Sequence, residues 1–198
     1  MNLPNRITIA RIIVSIIILV MLLVPWNDFG VTFPTYNVSG NIIVDLKMLI
    51  AGFLFVLAST TDFLDGHIAR SRGIVTDFGK VMDAIADKIL VNGVLIILAY
   101  QGMISILVPV IIIIRDTIVD SCKMISGNKG KVVAASILGK LKTICMMVGI
   151  SLTMFYNLPF EITGIPVARV FVILATILSV ISGCQYFLNS KELFFNDK

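Results

Sequence analysis

Apolar residues in this chain fall into six long blocks, with polar and charged positions gathered between them. The blocks run approximately from Ile7 to Pro25, Lys47 to Thr61, Ile85 to Tyr100, Ile104 to Val119, Ile137 to Phe155 and Val167 to Leu188. A helix crossing hydrocarbon needs roughly 20 predominantly apolar residues, so blocks of this size read as spans. The pattern predicts an all-α membrane protein with six transmembrane helices.

Composition agrees with that reading. The 198 residues are 58% hydrophobic and 14% charged, with a mean hydropathy of +1.00. A soluble domain of this size usually carries about 25% charged residues. Six spans consume most of the chain, and no repeat, low-complexity tract or Pro/Gly/Ser-rich linker divides it. Residues 1–198 are therefore expected to form one integral-membrane domain. Arg6 and Arg11 precede the apolar run from Ile12 to Val24, but Pro25-Trp26-Asn27 is not a small-residue cleavage site. The expectation is a retained first span that starts in the cytoplasm. Cys122, Cys145 and Cys184 lie far apart and make no metal spacing, which suits small packing residues.

The net charge is +4 and the isoelectric point about 9.1. Basic chains often bind nucleic acid, but topology accounts for the charge better here. With the N-terminus inside, 14 of the 16 Lys and Arg fall on the cytoplasmic side, and only Lys47 and Arg169 lie outside. That bias predicts both termini in the cytoplasm, a multi-pass protein of the plasma membrane, and no nucleic-acid partner. A basic inner face also attracts anionic lipid and anionic soluble substrates.

Acidic residues are concentrated. Asp62, Asp65, Asp77, Asp83 and Asp87 are five of the twelve acids, all within residues 62–87, where the second span leaves the membrane and the third begins. On helices, Asp62 and Asp65 are i and i+3 and share a face, while Gly79, Asp83 and Asp87 form an i, i+4, i+8 stripe. Gly66 and Gly79 remove side chains where helices or a ligand approach closely. Four carboxylates held between two helices either take up protons or share a compensating cation. An all-oxygen set suits Mg²⁺, Mn²⁺ or Ca²⁺. Such cations would bind a pyrophosphate and neutralise a leaving phosphate, and Arg70 adds a planar donor for phosphate oxygens. These residues point to metal-assisted phosphoryl chemistry at the membrane surface. Solvated helix ends paired with Arg70, Arg72, Lys80 and Lys88 would explain any single aspartate, but not four at these spacings.

The stretch from Asp62 to Asp87 reads Asp-x2-Asp-Gly-x2-Ala-Arg-x8-Gly-x3-Asp-x3-Asp, which resembles the signature of the CDP-alcohol phosphatidyltransferases. The resemblance implies a six-helix membrane fold with its active site open to the cytoplasm. It implies that Asp62, Asp65, Asp83 and Asp87 ligate two divalent ions, Mg²⁺ or Mn²⁺, with Asp87 also the general base. Gly66, Arg70, Thr76 and Gly79 fall on positions that contact the CDP-lipid. The opening Asn2-Leu3-Pro4-Asn5-Arg6-Ile7-Thr8-Ile9-Ala10-Arg11 is similar to that of a bacterial subgroup of this family. By that likeness it forms a short juxtamembrane helix ahead of the first span, with Asn5 and Thr8 near the nucleotide.

Residues Ile111 to Lys123 and Gly139 to Thr143 are similar to the same subgroup's acceptor-binding half. Arg115, Lys123, Lys140 and Lys142 lie there, and together they could hold the phosphate of a phosphorylated alcohol. Each is also explained by positive-inside anchoring. The resemblance thus implies CDP-diacylglycerol and glycerol 3-phosphate as substrates, membrane lipid as surroundings, and a homodimer. Other acceptors within the family, or a cation transporter built on the aspartates, are the alternatives. Departures from the subgroup's pattern are Ala84 for Pro, Asp116 for Glu and Lys123 for Arg, and they bear on the acceptor. His67, at an unspecified position of the motif, reads as a surface residue.

Overall fold

The computed structural model describes residues 3–38, 42–71, 77–128 and 137–195. Helix α1 spans Leu3–Leu23, α2 Leu46–Ser71, α3 Asp77–Tyr100, α4 Leu107–Asn128, α5 Ile137–Met154 and α6 Val167–Phe195. The juxtamembrane helix expected from the opening is not a separate element, because α1 runs unbroken from Leu3 into the first apolar block. Pro4 sits in the first turn, where its missing N–H costs nothing, and no helix breaker follows before Pro25. The all-α expectation also needs amending. Between α1 and α2 lies an antiparallel hairpin, β1 Thr35–Val38 with β2 Ile42–Asp45, in which Tyr36 pairs with Val44 and Asn37 with Ile43.

The helices are apolar on the outside as well as the inside. On α1 the buried face is Thr8, Arg11, Ser15, Ile18 and Leu22, while Ile13, Ile16, Ile17 and Val20 are exposed. On α6, Ser179 and Ser182 are fully buried, and Ile173, Leu174, Ile177, Val180 and Ile181 face outward. A soluble helix would reverse this arrangement, so these faces meet lipid. Helices α1, α5 and α6 contain stretches long and apolar enough to cross a membrane: Asn5–Leu23, Ile137–Met154 and Val167–Asn189. Charges interrupt the apolar runs of α3 and α4, among them Asp83, Asp87 and Lys88 on α3 and Arg115, Asp116, Asp120 and Lys123 on α4.

Packing divides the helices into two groups of three. Helix α1 lies against both α2 and α3, and α6 lies against both α4 and α5. Small residues permit the closest approaches. A Cβ on Gly149 of α5 would stand 2.8 Å from Val172 Cγ2 and 3.0 Å from Val172 N, so α5 and α6 meet backbone to backbone. Contacts of α2 with α5 and of α3 with α4 and α5 close the seam between the groups. Phe55, Leu90, Leu95, Ile112, Met146 and Ile150 are buried along it.

Candidate active site

At one end of the bundle, α1 supplies the cation that organises the aspartates. Arg11 is buried, with a side-chain exposure of 2%, and a guanidinium stripped of water needs compensating charge. Its Nη1 is ion-paired with Asp62 Oδ1 of α2, and its Nη2 donates to Asp83 Oδ1 of α3 at 2.8 Å. Thr8, one turn earlier on the same face, donates its hydroxyl to that Asp83 oxygen at 2.6 Å. Two of the predicted ligands, 21 residues apart in sequence, thus converge on one positive group. Arg11 stood in the sequence as a flanking charge and as part of the opening. Its i+3 spacing from Thr8 on the buried face of α1 was the available signal.

Asp87 lies one turn beyond Asp83 and lines a small cleft at the seam. Lys88, Val91 and Asn92 of α3, Asp116 of α4, and Lys142, Thr143, Met146 and Met147 of α5 complete its wall. Lys88 Nζ is ion-paired with Asp120 Oδ2, tying α3 to α4 beside the cleft. Gly79 is buried in the first turn of α3, and Asn5 is partly buried in the first turn of α1. Asp65, Gly66 and Arg70 lie along α2, but their side chains fall outside the described residues, as does that of His67; Thr76 falls outside them entirely.

Three of the four predicted acceptor residues are joined by shared partners. Lys142 Nζ reaches Asp116 Oδ1 and Oδ2 at 3.0 and 3.2 Å, and Arg115 Nη1 donates to the same Oδ1 at 2.8 Å. Asp116 therefore positions two cations from different helices, a role its sequence position did not reveal. Arg115 Cζ and Lys123 Nζ lie 5.9 and 5.8 Å from the centroid of the Tyr186 ring on α6. Lys140 is exposed in the first turn of α5, and nothing among the described residues draws it into this group.

The donor set fits a divalent cation in kind. Its oxygens are carboxylates, and Asp62 and Asp83 from separate helices already share one cation, the Arg11 guanidinium. Among the described residues no three acidic, histidine or cysteine side chains stand together as a metal site. Of the motif's aspartates among the described residues, only Asp87 lines the cleft, where it stands with Lys88, Asp116 and Lys142, so carboxylate and ammonium groups share one wall.

The family model described as CDP-alcohol phosphatidyltransferase matches residues 1–181, and the chain belongs to that family of transferases. Among its relatives, the CDP-diacylglycerol–glycerol-3-phosphate 3-phosphatidyltransferase of Bacillus subtilis is 37% identical over 96% of both chains. The protein of the same name from Rickettsia bellii is 32% identical over 98% of this chain and 97% of its own. The fold is similar to that of the apo crystal structure of phosphatidylinositol phosphate synthase from Mycobacterium tuberculosis. That likeness has a TM-score of 0.59 at 20% identity and covers 96% of this chain and 88% of the other.

Proposed function

We propose that the chain transfers the phosphatidyl group of CDP-diacylglycerol to glycerol 3-phosphate, giving phosphatidylglycerophosphate and CMP. The observation that carries this reading is the seam cleft, lined by Asp87 of the aspartate motif together with Lys142 and its partner Asp116. Likeness over nearly the whole chain to relatives named for this reaction supports the acceptor.

Arg115, Lys123 and Lys142 bind the phosphate of glycerol 3-phosphate, with Lys140 at the rim, and so present its free primary hydroxyl to Asp87. Asp87 takes the hydroxyl proton as the oxygen bonds to the phosphorus that bears diacylglycerol. The bond from that phosphorus to the bridging oxygen breaks, and CMP leaves. Asp62, Asp65, Asp83 and Asp87 would hold two divalent ions, Mg²⁺ or Mn²⁺, and bound ions would supply neutralisation of pyrophosphate charge. Thr8 and Arg11 hold Asp83 and Asp62 in place, while Asn5, Gly66, Arg70, Thr76 and Gly79 contact the CDP-lipid.

All six helices span the bacterial plasma membrane in this reading, with both termini and the site cytoplasmic, and one domain covers residues 1–198. The protein works as a homodimer. A transporter would place its acids near mid-membrane; here they gather at one end of the bundle. A basic cluster of this size also suits a phosphorylated acceptor better than serine or phosphatidylglycerol.

Purified protein with CDP-diacylglycerol and Mg²⁺, offered glycerol 3-phosphate, glycerol, serine and inositol phosphate in turn, tests the acceptor through CMP release. Glycerol 3-phosphate should be strongly preferred. Equal use of glycerol would sink the assignment.

A further inference from the structure

The acceptor half contains a device on α6 that the predicted phosphate ligands do not include. Arg115 and Lys123 lie two turns apart on α4, and nothing in α4 itself draws their charged ends together. Tyr186, which is 5% exposed, places its ring centroid 5.9 Å from Arg115 Cζ and 5.8 Å from Lys123 Nζ, so a single ring faces both cations. One turn earlier, the fully buried Ser182 donates to Ser179 O at 3.1 Å and accepts from Arg115 Nη2 at 2.8 Å. Between them, Gly183 leaves room for the stem: a Cβ there would stand 2.8 Å from Arg115 Cγ. Ser182, Gly183 and Tyr186 at i, i+1 and i+4 thus form one cradle.

Electrostatics gives the cradle a purpose. Arg115, Lys123 and Lys142 carry three positive charges. Asp116 is shared by Arg115 and Lys142, while Asp120 approaches Lys123 only to 4.0 Å and is already ion-paired with Lys88. The ring's negative face offsets only part of two positive charges, and a phosphate dianion that reached both cations would supply the rest. Arg115 Nε is buried with no acceptor among the described residues, which leaves the guanidinium a donor to offer.

We infer that Tyr186, supported by Ser182 and Gly183, is a positioning residue that holds Arg115 and Lys123 as a paired receptor for the acceptor's phosphate. This rests on the reading of the chain as a transferase to a phosphorylated alcohol. The ring acts through the two cations and does not touch the reacting atoms.

Initial rates of CMP release from the full-length protein in detergent, with each substrate varied in turn, test the idea. Tyr186→Leu removes the ring's quadrupole. It should raise the KM for glycerol 3-phosphate by about 3- to 30-fold, the range of a cation–π contact, with kcat and the KM for CDP-diacylglycerol within about twofold. Tyr186→Phe keeps the ring and should keep the wild-type KM. Protection of the protein against heat by glycerol 3-phosphate alone should weaken in the Leu variant and persist in the Phe variant. Should Tyr186→Leu not accumulate, Ser182→Ala takes its place with the same selective rise expected. An unchanged acceptor KM, equal rises for both substrates, or identical behaviour of Leu and Phe overturns the cradle. Wild-type protein that releases no CMP with glycerol 3-phosphate overturns the underlying transferase reading instead, so the two failures are distinct.

Discussion

The two ends of the helix bundle handle their polar groups in opposite ways. At the end away from the aspartates, every polar atom of the Asn157 side chain is used. Its Nδ2 donates to Glu161 Oε2 and Ile165 O, both at 2.8 Å, and its Oδ1 accepts from Ala168 N at 2.9 Å in the first turn of α6. Asp45 Oδ1 caps α2 by accepting from Lys47 N at 2.8 Å, and Asp45 N donates to the Tyr156 hydroxyl at 3.1 Å. Tyr156 and Asn157 both hold a left-handed backbone with φ of 56°, a conformation uncommon for residues other than glycine and paid for by those bonds. At the other end, Arg11 and Arg115 each keep a buried Nε without an acceptor among the described residues. One end is satisfied and the other is poised. The contrast separates residues that hold the fold from residues available to a charged ligand.

Substitutions at the two ends should therefore separate stability from turnover. The largest effect is expected from Asp87→Asn, nearly equal in size but unable to accept the acceptor's proton. It should slow CMP release by about a hundred- to ten-thousand-fold with little change in Tm. Asp77→Asn, off the stripe of Gly79, Asp83 and Asp87, should retain turnover. Next comes the basic cluster. Lys142→Ala should raise the KM for glycerol 3-phosphate roughly ten- to a hundred-fold, the value of a charge-assisted contact, and exposed Lys140→Ala should do clearly less. Equal effects at the two lysines would contradict the geometry around Asp116.

Asn157→Ala makes the opposite test. Losing three hydrogen bonds at a left-handed position should cost about 2–3 kcal/mol and lower Tm, while kcat/KM of the folded fraction stays near wild type. A selective loss of turnover would erase the distinction between the ends. The smallest effect concerns Tyr156, whose hydroxyl burial pushes above its ordinary range, outweighing the opposing hydrogen bond from the Asp45 backbone. Because the folded pKa is the higher one, its contribution is complete below the unfolded value near about 10 and is lost as pH rises through the folded pKa. Thermal melts from pH 8 to 11 should show less alkaline destabilisation in Tyr156→Phe than in wild type.

Much of this was legible in the sequence, because helix length and hydropathy follow directly from the thickness of hydrocarbon. The apolar blocks anticipated α5 and α6 closely, and the signature from Asp62 to Asp87 pointed to the family whose model matches residues 1–181. What escaped notice depends on partners remote in sequence. Arg11 meets Asp62 and Asp83 only because α1 packs between α2 and α3, and nothing local to Ala10-Arg11-Ile12 announces that. Asp116 and Tyr186 organise cations on other helices, which spacing within α4 or α6 does not reveal. The hairpin left a signal that went unread, two four-residue runs, Thr35–Val38 and Ile42–Asp45, either side of Ser39-Gly40-Asn41, and the N-terminal helix merged with the first span because no breaker separates them.

CMP release from CDP-diacylglycerol and glycerol 3-phosphate, followed across a Mg²⁺ and Mn²⁺ titration of the chelated protein, addresses the carboxylate end most directly. Turnover should vanish on full chelation and return with either ion, with Asp62→Asn and Asp83→Asn needing higher Mn²⁺ than wild type to recover. Turnover that persists after complete chelation would contradict the assignment of Asp62, Asp65, Asp83 and Asp87 as the cation-binding centre of a phosphatidyl transfer.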